Sequence, residues 1–484
     1  MTFGLIRAFK LCVYTSLLFA LPAAHANSDL KLPSLGDASA GLISPAEEYE
    51  LGQTLLRYYR ASMRTSDDPF IEEYLGQLLR RIATYSDLQD KRLDLLVLEN
   101  PSLNAFAAPG GIVGVNTGTF LIAEQEQQLA SIIAHELAHL SQRHYARRVQ
   151  QQQTTSMISL AALLAGIMVA ASSDSNTGIA ALPAIQAAAI ESSLRFSRQM
   201  EQEADRIGME TLIGAGFDPY AMPDMFELML RASRYRSNVP EFLLTHPVTE
   251  KRISDSMGRA SRYPKRQYAR DIGFQLVRAR VILNHENSPQ VAVKRFQDEL
   301  NGNKLSPVAA RYGLMMAYTK TGQVDKAQES LNQLRIDVDD PVILAIAQAD
   351  IYARQEHYND ALDTLAKVLQ NYPNSHPLNV RYAELLMAAG KYQTCESVLL
   401  EHVKRKPNNA YVWYLLAEVH GLAGHIFDVH KARAEYFILN GIYNKAEIQL
   451  RNALRLVDKD DFQAKAKIEQ RLLDVKKLIA SRPF

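Results

Sequence analysis

The chain has 484 residues, 47% hydrophobic and 22% charged, enough apolar material for two or three packed domains and too much for a wholly disordered protein. Its formal net charge is +1, so no charge excess points to nucleic acid, and no nucleic-acid partner is expected. The first residues read as a secretory signal: "MTFGLIRAFK" carries Arg7 and Lys10 without acids, and "LCVYTSLLFALP" is a short apolar run. "AAHA" then places small residues at Ala24 and Ala26, so cleavage is expected after Ala26. The run is shorter than the roughly 20 residues of a bilayer span. Cleavage would remove Cys12 and leave Cys395 alone, so no intramolecular disulfide is expected in the mature chain. Export without an anchor or a glycine-serine stalk points to a Gram-negative periplasm.

Residues 44 to 86 read as helical, opening on "SPAEEYELGQTLLRYY" with Ser44 as N-cap and Pro45 in the first turn. "LDLLVLEN" (93–100) and "AFAAPGGIVGVNTGTFL" (105–121) read as strands around a Pro-Gly-Gly turn. A helix follows with "SIIAHELAHLSQRH", residues 131–144. Residues 157–171 are a continuous apolar run, followed by "SSDSNTG" and the small-residue stretch "IAALPAIQAAA". This segment reads first as a buried helical hairpin. Its functional alternative, over 157–190, is a lid on a cleft or a surface in peripheral contact with membrane or with unfolded protein.

From about residue 270 the pattern repeats. Ala327, Ala361 and Cys395 stand 34 apart, as do Leu331, Leu365 and Leu399, and Val324, Tyr358, Tyr392 and Ile426. Gly322, Gly390 and Gly424 share one phase, and Pro373 and Pro407 another. That period, with small residues at one phase and large ones four later, is the tetratricopeptide signature. Ala292 and Phe296 mark a weaker first copy, while Ala446, Leu450 and Ala453 resume half a repeat out of phase. Four clear or partial hairpins and a shifted C-terminal one are expected, presenting a concave surface for peptides or partner proteins.

In "HELAH", His135 and His139 are four apart and project from one helix face, the spacing at which two imidazoles reach one zinc ion. Glu136 can hold and deprotonate a water beside the metal. A catalytic zinc takes a third protein ligand. A histidine six residues past His139 is absent, since Tyr145 stands there, and His144 is one residue off that spacing. "SRQMEQEADRIG" (197–208) offers Glu201, Glu203 and Asp205. Glu201 and Asp205 share a face, so one could bind zinc while the other orients a ligand histidine; Glu203 points elsewhere.

"HELAH" followed by "SRQMEQEAD", with "LNAFAAPGGIVGVNTG" before and "THPVTEKRI" after, resembles the HtpX/Oma-type family of zinc metallopeptidases. The resemblance implies Glu201 as third ligand and Asp205 as the residue behind it. It implies that "NAFAAP" (Asn104, Ala105, Phe106, Ala107) is an edge strand beside the zinc, where an extended substrate can pair. His246 in "THPVTEKRI" would stabilise the oxyanion, cap the zinc as a fourth ligand, or serve only a structural role at a helix start. It implies further that the substrates are unfolded or misassembled outer-membrane β-barrel proteins, and that the partners are the barrel-assembly machinery and the lipopolysaccharide-transport barrel protein. The alternative is a chaperone-like scaffold with a vestigial or capped zinc site, against which the intact Glu136 argues.

The expectation is therefore a signal peptide (1–26), an α+β zincin-like metallopeptidase domain with a small sheet (27–265), and an all-α tetratricopeptide solenoid (266–484). One Zn2+ per chain is expected at His135, His139 and Glu201.

Overall fold

The computed structural model describes residues 43–151, 198–235, 240–268, 271–302 and 305–480. The signal segment and the stretch 157–190 lie outside them. The helical region expected over 44–86 is two helices, α1 (Pro45–Ser62) and α2 (Pro69–Thr84). Ser44 caps α1: its hydroxyl accepts from the Glu47 amide while the Glu47 carboxylate accepts from the Ser44 amide, satisfying two first-turn donors reciprocally. Asp68 restarts the chain as a helix by accepting from the Phe70 amide, with Pro69 in the first turn.

Three strands follow, β1 (Asp94–Leu98), β2 (Ala105–Ala108) and β3 (Ile112–Asn116), in the order β1-β3-β2. The Pro-Gly-Gly turn joins β2 and β3 antiparallel, and β1 runs parallel to β3. The far side of β1 is closed by residues 64–66, where Ser66 N–H bonds Val97 O at 2.9 Å and Glu99 N–H bonds Arg64 O at 2.8 Å. β2 is thus the outer strand on the opposite side.

After the short α3 (Thr119–Ile122) comes α4 (Glu126–Ser141), which carries the HELAH residues and packs on β2. α5 (His144–Gln151) continues from it, and α6 (Arg198–Gly214) crosses it. Ala138 of α4 meets Ala204 and Ile207 of α6. At Gly208 a Cβ would stand only 3.0 Å from His135 Cα, so a residue without one lets the two backbones meet here. Around them α7 (Ala221–Tyr235), α8 (Glu241–Thr245) and α9 (Glu250–Ala260) complete the shell. The peptidase core is apolar, drawing Leu75, Val113, Phe120, Leu137, Leu212 and Phe226 from five of these helices and β3.

The remaining twelve described helices form six pairs: α10 (Ile272–His285) and α11 (Pro289–Leu300); α12 (Pro307–Thr321) and α13 (Val324–Asp337); α14 (Pro341–Arg354) and α15 (Tyr358–Leu369); α16 (His376–Ala388) and α17 (Tyr392–Arg405); α18 (Ala410–Ala423) and α19 (Ile426–Leu439); α20 (Tyr443–Leu456) and α21 (Phe462–Ala480). Both sequence columns, Ala327/Ala361/Cys395 and Leu331/Leu365/Leu399, are fully buried. The glycine column ends helices in the left-handed region, with φ of 77° at Gly322, 71° at Gly390 and 79° at Gly424. Glu356 fills the same phase and adopts φ 63° without being glycine. Gly441, 17 residues after Gly424, repeats the turn at φ 66° and begins the shifted pair. Cys395 is a buried free thiol, pushed up to about 12 by burial.

α10 and α2 put buried residues into both cores. α10 places Phe274, Val277 and Val281 in the peptidase core and Leu276, Ala279, Ile282 and Leu283 in the repeat core. α2 lends Phe70 to the repeat core, and its Glu72 accepts from Asn409 Nδ2 at 2.7 Å and lies 3.5 Å from His376 Nε2. Arg280 pairs with Asp68 at 2.9 Å and donates to the Tyr312 hydroxyl at 3.0 Å. No helix among the described residues is long and apolar enough to cross a membrane.

Candidate metal centre

The close crossing of α4 and α6 sets the site. One face of α4 offers His135 and His139, and the facing turn of α6 offers Glu201 and Asp205. His246 comes from the end of α8, its ring stacked 4.7 Å from Phe242. His135, His139, Glu201 and His246 are all buried, with one ligand atom of each within 4.8 Å of the others. His135 Nε2 lies 3.1 Å from His139 Nε2 and 3.4 Å from His246 Nδ1. Glu201 reaches His135 Nε2 and His139 Nε2 at 3.5 Å and His246 Nδ1 at 2.9 Å.

This donor set fits zinc. Bonds of about 2.0–2.1 Å in a tetrahedron put ligand atoms about 3.3 Å apart, close to the separations observed. Three convergent imidazoles cannot all satisfy one another, since a neutral ring offers one donor. The surrounding charge favours a cation as well. Burial opposes protonation of His135, yet the Asp205 and Glu201 carboxylates outweigh it and push the ring up to about 9. Burial also opposes charge on Glu201, but the His246, His135 and His139 rings hold its carboxyl well below the usual range. Burial keeps His139 far below an ordinary histidine.

Glu136 is fully buried beside the donors, with Oε1 3.6 Å from His246 Nε2. Burial raises its carboxyl above the usual value, against the pull of the His246 and His135 rings and the Ala107 backbone of β2. Asp205 stands behind His135, its Oδ1 3.1 Å from Nδ1.

Three further residues support this arrangement. Arg252 on α9 forks onto Asp205, with Nε to Oδ2 at 2.8 Å and Nη2 to Oδ1 at 2.7 Å. Its Nη1 lies 2.8 Å from Glu201 Oε2 and donates to Pro247 O at 2.9 Å. One guanidinium therefore holds the carboxylates of both α6 residues. His144 lies outside the donor set, with its Nδ1 2.9 Å from His139 Nδ1, so it braces that ring. Glu203, expected to point elsewhere, does leave the donor set and backs His144 Nε2 at 3.2 Å and Arg147 at 2.9 Å. Arg252 sits inside "THPVTEKRI", six residues past His246; that spacing was the signal available for it.

The β2 residues sit against the site. Ala105, Phe106 and Ala107 are buried, and Phe106 packs against Tyr59 with ring centroids 5.0 Å apart. Asn104 is buried too and donates to Glu241 Oε2 at 3.3 Å, tying the start of β2 to the helix before His246.

Comparison with known proteins agrees with this geometry. Residues 69–260 match peptidase family M48, and residues 352–419 match a tetratricopeptide repeat family. The chain is 32% identical over 442 residues to the "Putative beta-barrel assembly-enhancing protease" of Vibrio cholerae, covering 90% of this chain and 91% of that one. It is 30% identical to the beta-barrel assembly-enhancing protease of Escherichia coli K12, covering 87% of each. Over the peptidase part alone, 180 residues are 34% identical to the mitochondrial metalloendopeptidase OMA1 of Schizosaccharomyces pombe, covering 37% of this chain and 50% of that one.

Proposed function

The chain belongs to the beta-barrel assembly-enhancing protease family of M48 peptidases, and from that premise we propose that it is a periplasmic zinc endopeptidase that removes stalled or misfolded outer-membrane β-barrel proteins and assists their assembly. His135, His139 and Glu201 hold the metal. Zinc, when bound, supplies a Lewis acid that makes water acidic enough to attack near neutral pH. Glu136 takes the proton of that water and passes it to the leaving nitrogen; its burial keeps it a stronger base than an exposed glutamate. Asp205 fixes the His135 ring through Nδ1, and His144 with Glu203 fixes His139. Arg252 offsets part of the negative charge that Glu201 and Asp205 bring into the buried site.

His246 caps the resting site: its Nδ1 lies among the donors, where a water would have to stand. With His246 withdrawn, Asn104 and the β2 residues Ala105, Phe106 and Ala107 pair with an extended substrate. Export by the signal peptide places the enzyme in the periplasm. Residues 27–265 carry the catalysis, and 266–484 dock substrate, the barrel-assembly machinery or the lipopolysaccharide-transport barrel protein. α10 is built into both parts.

The observation that carries this reading is the buried convergence of His135, His139, Glu201 and His246 with Glu136 at 3.6 Å. The test is Glu136→Gln. The variant is expected to hold one zinc at this centre and to lose about 100- to 10,000-fold of its casein hydrolysis. Parent-like cleavage by the purified variant would remove Glu136 as the base.

A further inference from the structure

A second cluster of metal-ligating side chains lies in the repeat domain. Glu396 on α17, His420 near the end of α18 and His425 at the start of α19 put one carboxylate oxygen and two ring nitrogens within 4.8 Å of one another. Both Nδ1 atoms lie 2.6 Å from the same atom, Glu396 Oε1. Glu396 and His420 are buried, while the His425 side chain is 50% exposed.

The repeat fold does not require these residues. One 34-residue period earlier the same three positions hold Leu362, Leu386 and Lys391, and the two leucines are buried in the repeat core. Two periods earlier they hold Gln328, Tyr352 and His357, and one period later His430, Leu454 and Lys459. Only this copy joins a carboxylate to two imidazoles. Burying a glutamate and a histidine where leucines suffice costs desolvation, so packing alone does not account for them.

We propose that Glu396, His420 and His425 form a second metal site, for a divalent transition ion of the zinc class, that staples α17 to α18 and α19. Two imidazoles and a carboxylate are the borderline donors such ions select. The half-exposed His425 gives an entry path and leaves a coordination position facing solvent. The ligands of one tetrahedral ion stand about 3.3 Å apart, so the donors must open by about 0.7 Å as the ion replaces the protons they share. His425, just ahead of a helix, is placed to make that adjustment. This site is independent of the peptidase centre and of the function proposed for it.

The test is equilibrium dialysis of the mature full-length protein against buffered zinc, with bound metal counted by mass spectrometry. The parent is expected to hold two zinc ions. His425→Ala and Glu396→Gln are each expected to hold one and to keep parent-like casein hydrolysis, because they leave the peptidase centre whole. His135→Ala is expected to lose the other ion, and the exposed control His357→Ala to keep both. A parent that saturates at one ion overturns the proposal, and so does a second ion that persists in both His425→Ala and Glu396→Gln. Thermal unfolding gives a readout that activity does not touch. In the His135→Ala background, added zinc is expected to raise Tm by several degrees, and the rise is expected to vanish in His135→Ala/His425→Gln. Equal zinc-induced shifts in the two would also overturn it.

Discussion

Arg252→Met removes the guanidinium that touches both Glu201 and Asp205 of α6. Arg252 is 3% exposed and gives up four contacts: two to Asp205 at 2.8 and 2.7 Å, one to Glu201 at 2.8 Å and one to Pro247 O at 2.9 Å. With zinc bound, the two charges of the ion and the one of Arg252 balance Glu136, Glu201 and Asp205; without Arg252 one buried negative charge has no partner. Breaking a buried pair by removing one member costs about 3–5 kcal/mol. Methionine roughly fills the volume, so a cavity adds little. Asp205 also orients His135, so its loss of position is expected to weaken zinc binding about 10- to 100-fold, or about 1.4–2.7 kcal/mol. Arg252→Lys keeps the charge but cannot fork onto Asp205 while reaching Glu201, so its losses fall between those of parent and Met. Urea denaturation in zinc buffer reads the first quantity and chelator competition the second. If Arg252→Met has the parent's midpoint and zinc affinity, the guanidinium clamp is not what holds the site.

Four other outcomes follow from the structure. His246→Ala opens the position among the donors and is expected to raise self-cleavage or basal casein hydrolysis; a variant that keeps zinc and loses activity would instead assign His246 to the transition state. Glu356→Gly relieves a left-handed backbone that costs a side-chain-bearing residue about 1–2 kcal/mol, offset by about 0.5–1 kcal/mol of extra unfolded-chain entropy, so a net gain of up to about 1.5 kcal/mol is expected in denaturant melts. A chain cut near residue 265 loses Phe274, Val277 and Val281 from the peptidase core and is expected to be unstable. A cut near residue 303 keeps them and is expected to bind zinc while losing crosslinks to outer-membrane partners; equal crosslinking would refute docking by the repeats.

The repeat domain was legible because its period is written into the residues that pack. Ala327, Ala361 and Cys395 must be small and Leu331, Leu365 and Leu399 large for neighbouring helices to nest, so the columns survive in the sequence. The turn at Glu356 shows where that legibility ends. The fold imposes φ 63° there whatever the side chain, so the glycine column skips a copy while the backbone does not. The break between α1 and α2 was hidden for a different reason: both halves are strongly helical, α1 ends at Ser62 without a glycine or proline to mark it, and the restart lies in Asp68 and Pro69, which look like ordinary polar and turn residues until the cap is seen.

At the metal centre, legibility followed range. His135, Glu136 and His139 share one helix turn or so, and Glu201 and Asp205 share another, so helix geometry alone aligned each group. Which face of α6 meets α4 depends on Ala138, Ala204 and Gly208, small residues that mean nothing until two helices are known to cross. Arg252 was harder still, because its role exists only through partners 47 and 51 positions away. A buried arginine has no periodic pattern of its own; its meaning is the pair of acids it neutralises. His144 was weighed as a ligand from its distance along the chain, but a left-handed turn at Arg143, with φ 49°, carries it round behind His139, where it braces the ring's other nitrogen. A one-residue offset in sequence thus became a change of role, from a candidate ligand to a brace on one.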